Sequence, residues 1–304
     1  MKVIMWLLVM GIVTRNDVTI VLPVLNEANA IGRVLDELRR AGYSNILVVD
    51  GHSTDGTAEI AKSMGVEVVQ QHGRGKTGAL KTAFERVNTS YLLVMDGDCT
   101  YDPNDIEKFL AHAERYDYII GARTRRERIP LLNRLGNRII CLAFNFFTGS
   151  NLSDVASGMY LLRTRIARTL ELHSSGVDSE AEIAIQMAGI CRVTEIPIEY
   201  RYRIGESKAS RIRDGFSDIM IIATLSRFYH PFLFFSGLGV LVTISGSLML
   251  LLSLYETVIG HGWHLGWIII GFALIFFGAQ ALILGTVSAL LERMERRLLS
   301  EIRR

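Results

Sequence analysis

Cysteine is scarce in this chain of 304 residues: only Cys99, Cys141 and Cys191 occur. Three is an odd number and the spacings are unrelated, which excludes a disulfide framework and a zinc site and matches a reducing compartment. Net charge is nearly absent too, since 33 Lys and Arg against 31 Asp and Glu leave +2. A chain so balanced is no polyanion binder as a whole, so nucleic acid drops out as a partner and any basic site must be local. His173, His230, His261 and His264 show neither ligand spacing nor an acidic partner in sequence, and carry no assignment. The glycine-rich stretch QQHGRGKTGAL, residues 70–80, lacks one residue that a nucleotide-triphosphate loop requires. The Walker pattern needs a glycine five positions before Gly75, where Gln70 stands.

Long apolar runs, by contrast, are present near the end. Phe232 to Tyr255 and Leu265 to Leu291 contain no charge, and each exceeds the roughly 20 residues that cross a bilayer core as a helix. The connection from Glu256 to His264 holds no Lys or Arg, whereas Arg227 precedes the first run and Arg293, Arg296, Arg297, Arg303 and Arg304 follow the second. This asymmetry predicts a two-helix membrane hairpin, 232–304 with its basic tail, whose ends and preceding domain are cytoplasmic. Residues 211–231 begin charged and turn apolar until Pro231, the pattern of an interfacial helix lying on lipid. Residues 1–17 form an apolar leader with a single Lys and no small-residue cleavage site. A membrane-touching or unordered extension fits it better than a signal peptide.

Between these ends, residues 18–210 alternate short apolar runs with helical patterns. Val18–Leu25, Ile46–Val49, Val66–Val69 and Tyr91–Met95 read as strands, with helices over Ala28–Ala41, Thr54–Met64 and Ala79–Val87. Such alternation predicts an α/β domain with a mainly parallel sheet and right-handed crossovers. Sites in such sheets lie at the carboxyl ends of the strands. There stand PVLNEANA, DGHSTDGT, QQHGRGKTG and DGDCTYDP. Each alone is a turn; Ser53, Asp55 and Thr57, for example, form a plausible cap set for the following helix, which stabilises by about 1 kcal/mol. Together on one rim they predict a nucleotide-sized pocket rich in acids.

Asp96-Gly97-Asp98 puts two carboxylates at the end of a hydrophobic strand, where alternation sends both to one side. Oxygen ligands of that kind suit Mg²⁺ or Mn²⁺, which combine one or two carboxylates with substrate phosphate oxygens.

The segments IVLPVLNEA, LVVDGHSTDGT, GKTGALKTA, LLVMDGDCTY, IGAR, DVASGMYLL and YRYRIGESK follow one another in the order and spacing of family 2 glycosyltransferases. From residue 18 to about 215 the chain resembles the dolichyl-phosphate sugar synthases, above all the archaeal branch that begins N-glycans from UDP-sugars. The resemblance implies a GT-A catalytic fold, Rossmann-like, and inverting transfer from a nucleotide-sugar to dolichyl or another polyprenyl phosphate held in membrane lipid. It implies that Pro23, Asn26, Glu27 and Asp50 surround the nucleoside, with Asp96 beside it and Asp98, together with Asp96, on the metal. Gly73 to Gly78 would wall the donor, with Arg74 and Lys76 beside the diphosphate, and Arg203, Ser207 and Lys208 would cover it from a mobile loop.

Arg123, closing YIIGAR, and Arg134, which shares one face of the helix LNRLGNRIICLAFNFF with Arg138, would hold the acceptor phosphate, while Arg125, Arg126 and Arg128 suit a solvated face. Asp154 has two readings, a cap on the turn before Met159–Leu162 or a ligand for donor sugar hydroxyls. Asp178, Glu180 and Glu182 open a helix whose dipole favours acids. Two departures from the family pattern stand out. Thr100 replaces a frequent Gln after the metal motif, and Asp50-Gly51-His52 replaces Asp-Asp-Gly. Alternatives are a GDP-mannose-dependent synthase and a non-catalytic nucleotide-sugar sensor. A processive polysaccharide synthase would show Gln-x-x-Arg-Trp and more spans, and neither is present.

Overall fold

The computed structural model describes residues 13–124, 131–172, 179–188, 191–205, 223, 231–259 and 265–302, and the chain divides into two compact units after Ile221. The segment expected as an interfacial helix therefore lies, but for residue 223, outside the described residues, as do Ser207, Lys208 and residues 1–12 of the leader.

In the first unit β1 (Val18–Val24), β2 (Ile46–Asp50), β3 (Glu67–Gln70) and β4 (Tyr91–Val94) alternate with α1 (Ala28–Arg40), α2 (Thr57–Ser63) and α3 (Gly75–Arg86). Helix α1 shows why the pattern folds as it does: Ala30, Ile31, Val34, Leu35 and Leu38 recur at three- and four-residue steps and are the ones buried. Every residue of β2 and β4 is buried, as in strands covered on both faces. Each Val, Leu or Ile so buried contributes roughly 1.5–3 kcal/mol of transfer free energy against the entropy of ordering.

The later strands are β5 (Tyr118–Arg123), β6 (Tyr160–Arg163) and β7 (Val193–Ile198), joined through the short α4 (Ile106–Leu110), then α5 (Leu131–Thr148), the one-turn α6 (Thr164–Ala167) and α7 (Ser179–Ala188). The sheet order is β3-β2-β1-β4-β6-β5-β7. Strand β6 runs antiparallel to β4 and β5, and the remaining pairs are parallel. The expected mainly parallel α/β sheet is thus present, with one reversed strand.

Two boundaries depart from the sequence reading. Helix α3 begins at Gly75, not Ala79, because Gly73 and Gly75 take positive φ (89° and 65°) and turn the chain at once into the helix. Strand β7 carries no clear apolar signal, since only Ile196 and Ile198 of VTEIPI are buried. It is an edge strand, which is also why Pro197 is tolerated there.

The second unit is a pair of helices, α8 (Pro231–Val258) and α9 (Leu265–Ile302). Glycine lets their backbones approach: a Cβ at Gly239 would meet Gly278 O at 2.8 Å, and one at Gly246 would meet Gly271 O at 2.7 Å. Their outer surfaces expose Leu241, Leu251, Phe272 and Leu290 among others. Apolar helices of this length, so little covered by protein, are candidate membrane spans.

Candidate active site

Strand order turns at β1, which has β2 on one side and β4 on the other, so the carboxyl ends of these strands border the crevice where open α/β sheets take their ligands. Among the described residues three non-glycine positions adopt left-handed backbone, and each follows one of these strands: Asn26 (φ 50°), His52 (φ 64°) and Cys99 (φ 66°). That conformation costs a non-glycine residue on the order of 1–2 kcal/mol, and such costs cluster where function fixes the backbone. The turns after β1 and β2 are tied together. Asn26 N donates to Ser53 Oγ (2.9 Å), Glu27 N to Thr57 Oγ1 (2.8 Å) and Ala28 N to Asp55 Oδ2 (2.9 Å), while Thr54 N donates back to Asn26 Oδ1 (2.8 Å). The expected cap set is rearranged: Gly56 occupies the N-cap of α2, and Asp55 acts from one residue earlier by accepting from Thr57 N at 3.0 Å.

Asp50, at the end of β2, is 1% exposed. Its Oδ2 accepts from Ser53 N at 3.0 Å, and its Oδ1 has no hydrogen-bond partner among the described residues. A buried carboxylate oxygen of that kind is a place for a ligand's donor group. Pro23 sits one residue from the end of β1, opposite Val49.

Asp96 and Asp98 lie just past the end of β4, in irregular backbone and not in the strand itself. Asp96 Oδ1 accepts from Lys76 Nζ at 2.6 Å, and Lys76 Nζ also stands 2.5 Å from Glu180 Oε1. Burial alone would lower the Lys76 pKa, but the charges of Asp96 and Glu180 more than reverse this and raise it. The other Asp96 oxygen packs against Gly158, where a Cβ would fall 2.1 Å from Oδ2. Asp98 Oδ1 accepts from Thr100 N (3.1 Å) and Thr100 Oγ1 (2.5 Å), and its Oδ2 faces Arg203 Nη1 at 3.0 Å. Thr100 thereby orients Asp98. Burial and then the neighbouring Asp96 charge raise the Asp98 pKa, and Thr100 and Arg203 offset only part of that.

Arg203 also pairs with Glu27 Oε1, so a single guanidinium joins the turn after β1 to Asp98 after β4. Its backbone is held there as well, because Arg201 N donates to Thr100 O at 2.7 Å and Ile204 N to Asp98 O at 3.0 Å. Among the described residues no three His, Cys, Asp or Glu side chains form a closed metal cage. Two carboxylates with oxygen donors only fit Mg²⁺ or Mn²⁺, which fill the remaining positions with water and phosphate oxygens.

Arg123 and Asp154 meet in a bidentate ion pair, with Nε to Oδ2 and Nη2 to Oδ1 both 2.7 Å. Asn137 of α5 adds a hydrogen bond to Asp154 Oδ1 at 2.9 Å. Asp154 is fully buried and Arg123 nearly so, so the pair clamps the end of β5 to the loop before β6 and to α5. In this structure the oxygens of Asp154 are engaged by these two residues and not by a turn. Arg74 is exposed at the N-cap of α3.

Arg134 and Arg138 are exposed on α5, beside an outward stripe of Leu135, Ile139, Leu142 and Phe146 that is 54%, 47%, 64% and 73% exposed. The opposite face buries Ile140, Cys141 and Phe144. Arg125, Arg126, Arg128 and Asp178 lie outside the described residues. Sequence reasoning did not single out Gly158, Asn137 or the contact of Glu180 with Lys76. Each depends on tertiary proximity, although GMYLL and SEAEIAI do show a glycine and acids set into apolar sequence.

A model of glycosyl transferase family 2 matches residues 19–170. Among curated proteins, the glycosyltransferase AglJ of Haloferax volcanii is 35% identical over 298 residues, covering 95% of this chain and 98% of its own length. The dolichyl-phosphate hexose transferase of the same organism is 33% identical over 208 residues, 66% of this chain and 90% of its own. Among solved structures, the fold resembles glucosyl-3-phosphoglycerate synthase of Mycobacterium tuberculosis, crystallised with Mn²⁺, UDP-glucose and phosphoglyceric acid. That likeness has a TM-score of 0.56 at 20% identity, over 69% of this chain and 78% of the other.

Proposed function

The chain belongs to glycosyl transferase family 2, and from that membership we propose that it moves a sugar from a nucleotide-sugar, UDP-linked, to dolichyl or another polyprenyl phosphate at the cytoplasmic face of the membrane. The observation that carries this reading is the acidic rim at the ends of β1, β2 and β4, where Lys76 pairs with Asp96, and Arg203 with Glu27 and Asp98, beside buried Asp50. The buried, unpartnered Oδ1 of Asp50 suits a nucleoside N–H or hydroxyl, and Pro23, Asn26 and Glu27 are the further residues proposed to meet the nucleoside. Asp98 and Asp96 are the residues that would hold Mg²⁺ or Mn²⁺. Once bound, the ion offsets charge on the departing diphosphate, which accords with the Mn²⁺ present beside UDP-glucose in the structural neighbour.

The acceptor half rests on different features. The exposed apolar stripe of α5 beside Arg134 suits a phosphate that arrives on a lipid, and the dolichyl-phosphate hexose transferase relative points the same way. A phosphate monoester has a second pKa near 6 and is an anion at neutral pH. It can therefore attack the sugar carbon without a strong base, and the protein's work is positioning and charge stabilisation. Displacement in one step inverts the anomeric centre, giving a β-linked product from an α-linked donor. Arg123, clamped by Asp154, and Arg134 are the proposed partners of the acceptor phosphate, and Arg203, Ser207 and Lys208 the proposed contacts to the donor. Asp98→Ala tests the donor half: Mn²⁺-dependent binding of the nucleotide-sugar, read by calorimetry on the solubilised full chain, should disappear. Retention of wild-type metal-dependent binding would remove Asp98 from the metal.

A further inference from the structure

An acidic residue in the first turn of a helix has an ordinary explanation in the helix dipole, but that account suits a carboxylate facing water. Glu180, in the first turn of α7, is 2% exposed. Its Oε1 stands 2.5 Å from Lys76 Nζ, and the same ammonium lies 2.6 Å from Asp96 Oδ1. A carboxylate, an ammonium and a second carboxylate therefore run from α7 through the first turn of α3 to the end of β4.

We propose that Glu180 is a positioning residue of the donor site: it anchors Lys76, and through Lys76 it fixes the Asp96 carboxylate against which the nucleotide binds. This rests on the donor reading given above. A lysine has a flexible four-carbon stem, and its pairing with Asp96 alone, 30% exposed, would be a half-solvated contact with little power to fix position. The buried Glu180 removes that freedom, because a carboxylate so deep needs its ion-pair partner to stay. Asp96 is restrained from its other side as well, since its Oδ2 packs where a Cβ of residue 158 would be. Ser179 Oγ donates to Glu180 Oε2 at 3.1 Å and steadies the anchor itself.

Among the described residues, Lys76 is the cation that pairs with Glu180. The hydroxyls of Tyr118 and Tyr160 are buried without hydrogen-bond partners among the described residues. Burial first, and then the Glu180 charge, holds both phenols protonated and neutral. Lys76 is the basic group that the carboxylate meets.

The test uses the full chain in detergent micelles, with UDP and GDP as probes, each with and without Mn²⁺, for wild type, Glu180→Gln, Lys76→Met and the double variant. Glu180→Gln and Lys76→Met should each weaken nucleotide binding by about ten-fold, the size of loss seen when a supporting partner of a ligand-holding group is removed. The double variant should bind no worse than Lys76→Met alone, because the two residues act as one unit. Additive losses in the double variant, or wild-type affinity in Glu180→Gln with only a lower melting temperature, would overturn the proposal. If Lys76→Met fails to fold, because it leaves Glu180 unpaired, the neutral double variant against Glu180→Gln carries the comparison. Should wild type bind neither UDP nor GDP, the donor reading itself fails, an outcome distinct from a failure of the anchor alone.

Discussion

Gly158→Ala places a methyl group where the carboxylate of Asp96 now packs. The added Cβ would lie 2.1 Å from Oδ2, 2.7 Å from Cγ and 3.0 Å from Oδ1 of Asp96, and real Cβ atoms do not come nearer than 3.0 Å to other heavy atoms. The backbone at 158 is poorly able to yield, because Gly158 N donates to the hydroxyl of buried Tyr101 at 2.8 Å and the next two residues, Met159 and Tyr160, are fully buried. Asp96, with a partly exposed side chain, is the group that can move, and moving disturbs its 2.6 Å contact with Lys76. Overpacking costs about 1–3 kcal/mol, and the half-exposed ion pair adds under about 1 kcal/mol. A total near 2 kcal/mol corresponds to a fall in Tm of about 4–8 °C for a domain of this size. Nucleotide affinity should drop about ten-fold or more, since Asp96 leaves its place.

Gly149→Ala is the control: its Cβ meets nothing within 4 Å, but φ is +67°. It should lower stability by about 1 kcal/mol through backbone strain alone and leave nucleotide binding unchanged. Thermal unfolding and calorimetric titration with UDP read both variants. Wild-type affinity and Tm in Gly158→Ala would refute the packing argument.

Other perturbations reach other parts of the chain. Asp154→Ala strands the buried Arg123 guanidinium and should cost about 3–5 kcal/mol in thermal or urea unfolding, most of it recovered when Arg123→Met is added. Cys99 is buried, and burial followed by the Glu37 charge pushes its thiol pKa up to about 11. At pH near 8 only about one thiolate per thousand is present, so mass spectrometry after brief iodoacetamide treatment should find Cys99 unmodified in the folded chain and alkylated after denaturation. Gly246→Leu drives a side chain into Gly271 O, 2.7 Å from its Cβ, and should lower the melting temperature of the detergent-solubilised protein. Gly237→Leu, whose Cβ meets nothing within 4 Å, should not.

The parts of this molecule that could be read from sequence are those whose signals are local. Strands β1, β2 and β4 are mainly apolar runs, the two C-terminal helices contain long charge-free runs, and Asp96-Gly97-Asp98 closely follows such a strand. Strand β7 was not legible because an edge strand buries only two side chains and its register is set by β5, far away in sequence. The glycine-rich stretch looks like a loop from composition, yet two positive-φ glycines let α3 start inside it. Glu180 looked like a helix-opening acid, and only the fold brings it to Lys76, itself on another helix. Asp154 offered two roles, and the structure adds an arginine partner from a neighbouring strand that neither role foresaw. Contacts of this kind connect residues tens of positions apart, which no short pattern encodes.

The measurement that bears most directly on the proposed activity is a transfer assay on membranes containing the full chain. Dolichyl phosphate and undecaprenyl phosphate serve as acceptors, Mg²⁺ or Mn²⁺ is supplied, and a panel of labelled UDP- and GDP-sugars is offered. The account predicts that one UDP-sugar yields an acid-labile, lipid-extractable product whose formation EDTA abolishes. Absence of any lipid-linked product with every donor, from a chain that still binds nucleotide, would contradict it and leave a nucleotide-sugar-binding membrane protein whose acceptor is not a polyprenyl phosphate.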